Sequence, residues 1–406
     1  MLHPQPPPRM LQVDADAFFV QVARLIDPDG AGRAELLLVG GSPQGRGVVT
    51  SAAYAARKFG VRSGMPMARA LRLCPGAVVV GVPRKACSDR SRAIVRVLER
   101  FTPVVEPASI DEMYLDLSGT ETLYGHEPLE RTARRIREEV LRDTEIAVSI
   151  GGGTNRLVAK LAAGRAKPHR TPEANGVVIV PPGGEGEFLA TFELADIPGV
   201  GPRFAERLAR YRLVTVRDAL ARERAALEEW FGRRAGAWLF DRIRGVDGTP
   251  IVGRAQARSI SRDETFAEDL DDDGRLRREL LRLSDRAAGD LRRAGYTART
   301  VSVRIRDRDF RDRRASRTLA APVTTERVIF EVACELFAKL RKARAVPARL
   351  LSVSLSHIGA AETDEQLGLF EGEERPRLET ERDVKLAQAI DEARGKYGDG
   401  AVKRGG

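Results

Sequence analysis

Cysteine and histidine are scarce in this chain, with 3 and 4 residues among 406. Cys74, Cys87 and Cys334 lie far apart and form no C-x-x-C pair, which excludes a disulfide framework and a thiolate zinc site. His3, His126, His169 and His357 are equally scattered. A metal, if one is used, must be held by carboxylates, and hard oxygen ligands point to an ion such as Mg²⁺. Long apolar runs are missing too, so no membrane span and no membrane partner are expected. Residues 1–9, MLHPQPPPR, lack the apolar core of a signal peptide and read as a disordered, Pro-rich leader. The expected compartment is a reducing cytoplasm.

What is present is an ordinary soluble balance, 42% hydrophobic and 31% charged, in a length that suits two to four domains. Lys and Arg number 68 against 58 Asp and Glu, a net charge of +10. That excess favours a polyanionic partner, nucleic acid first, although an Arg-rich composition alone also produces it.

Strand and helix patterns alternate along the chain. MLQVD (10–14) reads as a buried strand and AFFVQVARL after it as a helix, while residues 46–80 read as short helices. A helix is expected over 86–101, then two strands, TPVVEPAS and MYLDLSG, meeting at Ile110-Asp111-Glu112. A helix over 128–142, the strand EIAVSIGG and the helix NRLVAKLAAGRA follow. Hairpin signals among these elements favour an α+β sheet over a doubly wound parallel one. A short helical unit starts near Pro181-Pro182-Gly183-Gly184, and GVDGTPIVGR (245–254) reads as a linker. The next unit, 255–358, combines two helices (274–294 and 326–343) with alternating strands TVSVRIR and LLSVSLS. From Ala361 the tail is polar, with one apolar island and a short amphipathic helix around 383–397 that carries Val384, Leu386, Ala387, Ile390 and Ala393 on one face.

Asp14 ends a strand, and the Asp111-Glu112 pair sits where two strands meet. Phosphoryl transfer uses two Mg²⁺ ions roughly 4 Å apart, and acids on neighbouring strands can meet that need from distant positions. Taken alone, an Asp-Glu dipeptide is as well explained by a solvated turn.

Four ordered motifs go further. MLQVDADAFFVQVARL resembles the opening motif of the Y-family (translesion) DNA polymerases, and SIDEMYLDLSG resembles their second catalytic motif. VVTSAAYAARKFGVRSGMPMARALRLCP resembles their fingers segment, and SIGGGTNRLVAKLAAGRAKP the stretch that closes their palm. The resemblance runs from Met10 to about Ile358 and is nearest to the bacterial DNA polymerase IV (DinB) type. It implies a multidomain right-hand fold: a ferredoxin-like catalytic palm (10–22 and 78–180), fingers (23–77), a thumb (181–244), the linker, a DNA-binding little finger (255–358) and a tail (359–406).

Carried over by position, Asp14, Asp111 and Glu112, with the Ala15 carbonyl, are the expected ligands of two Mg²⁺ ions. Phe19 falls on the steric gate that rejects a ribose 2′-hydroxyl. Phe18 and Ser51 are counted with the nucleotide pocket, although core packing is the simpler role for Phe18. Tyr54, Arg57 and Lys167 fall where relatives grip the incoming deoxynucleoside triphosphate. Ala53, Arg156 and the pair Ala163-Gly164 depart from the common pattern, which bears on nucleotide contacts but removes no metal ligand.

Ile197-Pro198-Gly199-Val200-Gly201 resembles the turn of a helix-hairpin-helix, where Gly199 and Gly201 let backbone N–H groups reach a phosphate; a helix-capping turn is the alternative. Gly151-Gly152-Gly153 lacks the Lys-Ser/Thr of a phosphate-binding loop. TVSVRIR alternates Val301, Val303 and Ile305 with Ser302, Arg304 and Arg306, and a face carrying Arg304 and Arg306 suits the DNA backbone. Arg308, Arg311, Arg313, Arg314 and Arg317 follow, with a solvated edge as the plainer reading of Arg311 to Arg314. Gln366, Leu367, Leu369 and Phe370 resemble the motif that binds the bacterial sliding clamp (its β subunit). The expected protein is a monomeric DNA polymerase without a proofreading unit, acting on primer-template DNA by low-fidelity synthesis past damage. Two alternatives are a catalytically inactive relative that scaffolds DNA and clamp contacts, and another palm-type enzyme such as a nucleotidyl cyclase.

Overall fold

A computed structural model describes residues 7–168, 175–253, 256–360, 378–398 and 400–402. The chain divides into two compact units, residues 1–255 and 256–406.

The first unit begins β1 (Met10–Ala15), α1 (Phe18–Ile26), β2 (Leu37–Gly40), β3 (Val49–Ala52), α2 (Tyr54–Arg57), α3 (Met67–Leu73) and β4 (Val78–Val80). It continues α4 (Arg84–Leu98), β5 (Val105–Pro107), β6 (Glu112–Asp116), α5 (Leu129–Thr144), β7 (Val148–Gly153), α6 (Arg156–Ala166) and β8 (Val177–Ile179). Short helices close it: α7 (Glu185–Leu189), α8 (Pro202–Arg210), α9 (Val216–Leu220), α10 (Arg224–Phe231) and α11 (Arg233–Arg242).

The main sheet has the order β5-β6-β1-β7-β8, antiparallel except for the parallel pair β7-β8. Alternation along its strands divides two environments. Leu11 and Val13, opposite Leu115 and Met113, are wholly buried in a core with Ile94 and Leu98 of α4 and Ile136 and Val140 of α5. The intervening residues Gln12 and Asp14, opposite Tyr114 and Glu112, occupy the other face. Over that face lies α6, close enough that a Cβ on Gly151 would stand 1.9 Å from the Ala163 backbone nitrogen. Only glycine admits that approach, and it holds α6 against the acidic side of the sheet.

Residues 46–80 differ from expectation. Val49–Ala52 is a strand, and β3-β2-β4 form a separate three-stranded sheet. Val78 pairs in parallel with Leu37, so β4 joins the sheet of β2 and β3 rather than the main sheet. The alternation there is too short to register against the helical propensity of its many alanines. The first limb of the expected helix-hairpin-helix is only a 3-10 turn, Leu194–Asp196. Of the leader, residues 7–9 are described, and Arg9 is tied down: its N–H donates to Ser118 Oγ (3.0 Å) and its carbonyl accepts from Leu117 N (2.9 Å).

The second unit runs β9 (Ser259–Leu270), α12 (Asp273–Arg293), β10 (Tyr296–Asp307), β11 (Asp312–Val323), α13 (Glu326–Ala343), β12 (Ala348–Ala360) and α14 (Glu381–Tyr397). Its sheet, β11-β10-β12-β9, is antiparallel throughout. Val301, Val303 and Ile305 with Leu351, Val353 and Leu355 pack on Leu276, Leu280 and Leu283 of α12 and on α13. The tail helix joins this unit through ion pairs. Asp391 takes both Nε (2.7 Å) and Nη2 (2.9 Å) of Arg292, Arg394 reaches Asp285 (2.9 Å), and Asp383 takes Arg327 (2.9 Å). Only Ala387 of the expected apolar face is fully buried, and Leu386 is 50% exposed. The apolar island containing Gln366, Leu367, Leu369 and Phe370 lies outside the described residues.

Candidate active site

Asp14 is the last polar position of β1, directly opposite Glu112 of β6, and the Ala15 N–H donates to the Asp111 carbonyl at 2.9 Å. Strand pairing therefore brings residues about a hundred positions apart onto neighbouring points of one surface. Each acid is engaged. Lys167, just past α6, donates to Asp14 Oδ1 at 2.7 Å, and Lys160 within α6 donates to Glu112 Oε2 at 2.6 Å. Ser109 Oγ donates to Asp111 Oδ1 at 2.5 Å and accepts from the Asp111 and Glu112 N–H groups.

Burial, with the like charges of Glu112 and Asp111 adding to it, pushes the Asp14 carboxyl up to about 6 against the opposing pull of Lys167. Asp16 is buried and also raised, mainly by burial. It is fixed by Ser149 Oγ at 2.9 and 3.0 Å and by the Tyr54 hydroxyl at 3.3 Å. Burial and the Asp16 charge in turn push the Tyr54 phenol well above its ordinary value, so it stays a donor. Arg57 lies over the Tyr54 ring at 4.7 Å and donates to the Ala52 carbonyl at 2.9 Å.

A cleft of about 440 Å³ opens over this surface, lined by Gln12, Asp14, Arg57, Glu112, Lys160, Arg165 and Lys167 among others. Phosphate oxygens would meet four cationic side chains there and a carboxylate floor behind them. Among the described residues no three His, Cys, Asp or Glu side chains converge closely enough to hold an ion as they stand. The donor chemistry nonetheless fits a hard divalent cation. Two carboxylates face each other in register and a third adjoins them, an all-oxygen donor set of the kind such an ion takes.

Phe19 is half-buried at the start of α1, edge-on to Phe18 at 5.5 Å. Ahead of it Ala17 holds φ at 45° and gives α1 no side-chain cap. That left-handed alanine costs roughly 1–2 kcal/mol and turns the chain sharply between Asp16 and the phenylalanines. Phe18, 1% exposed, packs into the core beneath the main sheet, as the simpler reading of it expected, and Ser51, 5% exposed, is buried in the β2-β3 pair.

Lys160 is the residue the sequence reading missed. Its signal was available: Arg156, Lys160 and Lys167 are spaced by four and seven, one stripe of a helix. Arg156 also has a structural role. It makes two bonds to Glu106 (2.6 and 2.8 Å), donates to the Pro250 carbonyl (3.1 Å) and stacks on the Tyr114 ring at 4.2 Å. Gly199 holds φ at 104° with the Trp238 ring against it, and Gly201 caps α8, whose first residue is Pro202. In the second unit Arg304 bonds Asp263 (2.8 Å) and Arg306 bonds Asp312 (2.7 and 2.8 Å) on a face that also carries Ser302, Arg314, Ser316, Ser352 and Ser354.

Comparison with known proteins agrees with this geometry. A profile of the impB/mucB/samB family matches residues 13–164, its C-terminal domain matches 257–369, and a DNA polymerase-iota thumb domain matches 195–247. The chain is 34% identical to the DNA polymerase IV of Dehalococcoides mccartyi over 98% of its own length and 97% of the relative's. With the DNA polymerase IV of Caulobacter vibrioides it shares 36%, over 97% and 92%. Among solved structures, the Y-family DNA polymerase chimera Dbh-Dpo4(243-245)-Dbh superimposes with a TM-score of 0.77 at 25% identity, covering 87% of this chain and 99% of that one. An insertion ternary complex of Dbh DNA polymerase gives 0.61 at 25%, with the same coverage.

Proposed function

The chain belongs to the impB/mucB/samB family of Y-family DNA polymerases and is a DNA-directed DNA polymerase; from that premise we propose that it extends a primer 3′-hydroxyl across damaged template, at low fidelity, by two-metal phosphoryl transfer at Asp14, Asp111 and Glu112. The observation that carries this reading is the register pair Asp14–Glu112 beneath a cleft rimmed by Arg57, Lys160, Arg165 and Lys167.

Asp14, Asp111 and Glu112, with the Ala15 carbonyl, would hold two Mg²⁺ ions, whose chemistry is to acidify the attacking hydroxyl and stabilise charge on the phosphates. The protein's own part is placement. Gly151 lets α6 lie close, so Lys160 and Lys167 reach the acidic floor. Arg57, stacked on the Tyr54 ring that Asp16 orients, offers donors to phosphate oxygens from the fingers side. The Phe19 ring, fixed by Phe18 behind it, fills the volume a 2′-hydroxyl needs. Primer-template DNA and a deoxynucleoside triphosphate are the substrates, as the name of the ternary Dbh complex supports. Sliding-clamp capture through Gln366, Leu367, Leu369 and Phe370, action as a monomer, and work in the bacterial cytoplasm complete the proposal.

Primer extension tests it. Wild type with Mg²⁺ should insert opposite an abasic or alkylated template base and continue, and Leu369→Ala with Phe370→Ala should abolish only the stimulation by the clamp. Extension that halts at every lesion tried would remove the bypass reading while leaving the polymerase. No extension of undamaged primer-template by well-folded protein would instead favour the inactive scaffold.

A further inference from the structure

The turn joining β10 to β11 carries an aromatic ring in an unusual position. Phe310 is 63% exposed and holds φ at 64°, a conformation glycine adopts freely and a side chain with a Cβ resists. The surroundings force it. Asp307, wholly buried, takes Arg313 at 2.9 and 2.7 Å and Arg344 at 2.5 Å, and Arg344 also reaches Asp309 at 2.9 Å. The Phe310 N–H donates to the Asp307 carbonyl (2.9 Å) and the Arg308 N–H to the Pro347 carbonyl (3.0 Å). A turn so heavily braced does not display its ring by laxity. These bonds fix the backbone of the turn that carries the exposed ring.

The ring's company identifies the ligand class. The Arg349 guanidinium covers one face at 4.5 Å from the centroid, which leaves the other face for a planar guest. Arg308 is exposed beside it, and neither Arg308 nor Arg349 has a carboxylate within salt-bridge distance among the described residues. An open aromatic face beside unneutralised guanidinium groups matches an unpaired base and its phosphate. Bases within a duplex are already stacked, so the guest is single-stranded. We propose that Phe310, backed by Arg349 and flanked by Arg308, is a stacking platform for an unpaired DNA base. The assignment rests on the chain working on DNA.

Fluorescence anisotropy with a labelled oligo-dT and with a blunt duplex of equal length tests it, using wild type, Phe310→Gly and Phe310→Trp. Phe310→Gly should bind oligo-dT about 5- to 10-fold more weakly, with duplex affinity little changed and a Tm no lower than wild type, since glycine relieves the turn. Phe310→Trp should restore binding. Equal oligo-dT affinity for wild type and Phe310→Gly would overturn the platform alone, and would mean that the ring faces another partner. A folded wild type that binds neither DNA would overturn the platform and the polymerase reading together.

Discussion

Phe19 and Arg156 show how far single side chains can be argued. Phe19 lies half-buried in the first turn of α1, and in the proposed reading its ring excludes a ribose by overlap alone. Phe19→Ala should therefore raise ribonucleotide insertion by about two orders of magnitude or more, as overlap worth a few kcal/mol is removed. Single-nucleotide insertion of matched rNTP and dNTP measures it, and unchanged discrimination would place the gate elsewhere. Arg156 and Glu106 are 17% and 14% exposed at their side chains, a paired charge with little water. Arg156→Ala leaves Glu106 unpaired and uncovers Tyr114, whose phenol burial already pushes up to about 12. The expected cost is about 2–4 kcal/mol of stability, read as a lower denaturant midpoint, with Arg156→Lys recovering part of it. Sequence motifs made Asp14, Glu112, Arg57 and Lys167 legible because charge and position coincide. Phe18 was already legible as core, whereas Lys160 escaped because its helical spacing from Arg156 is one of many such spacings in a chain with 68 Lys and Arg.

The element that organises the site is α6, and its seat is glycine. A Cβ on Gly151 would meet the Ala159 carbonyl at 2.2 Å as well as the Ala163 nitrogen. Gly151→Val should push α6 off the sheet, lower the Tm and carry Lys160 and Lys167 away from the acids. Primer extension should fall at least about 100-fold, since misplacement by about 1 Å costs that much; a variant with normal activity would mean that α6 does not position the site. At the other end of the chain α14 is docked by ion pairs rather than by apolar burial. Asp391→Ala removes two bonds from Arg292 worth about 1.5–3 kcal/mol, so amides of α14 should exchange roughly tenfold faster or more while those of α12 hold. Equal exchange rates would show that other contacts fix the helix. Long periodic helices such as α12 and α13 were legible throughout. The strands of residues 46–80 were not, because runs of three or four residues in an alanine-rich stretch carry less signal than the tertiary pairing that decides them.

Across the whole molecule the charge of +10 and the serine-and-arginine face of the second unit suit backbone contacts without base readout. Arg304 and Arg306 are already paired with Asp263 and Asp312, so a DNA backbone bound on this face would compete with those carboxylates. The logarithm of primer-template affinity should fall linearly with the logarithm of salt, with a slope of several units. Arg304→Ala should weaken binding uniformly across sequences and flatten the slope by about one; a sequence-dependent loss would contradict backbone recognition. Fold and family were readable from ordered motifs, whereas the pairing of Val78 with Leu37 and the bonds of Arg9 to Leu117 and Ser118 were not. The central claim, that three acids on neighbouring strands make this cleft a polymerase site, is met most directly by primer extension with wild type and Asp111→Ala at equal folded concentration. Extension by wild type, with a loss of at least about a thousandfold in the variant, is the expected result. A variant that extends primer as fast as wild type would contradict it.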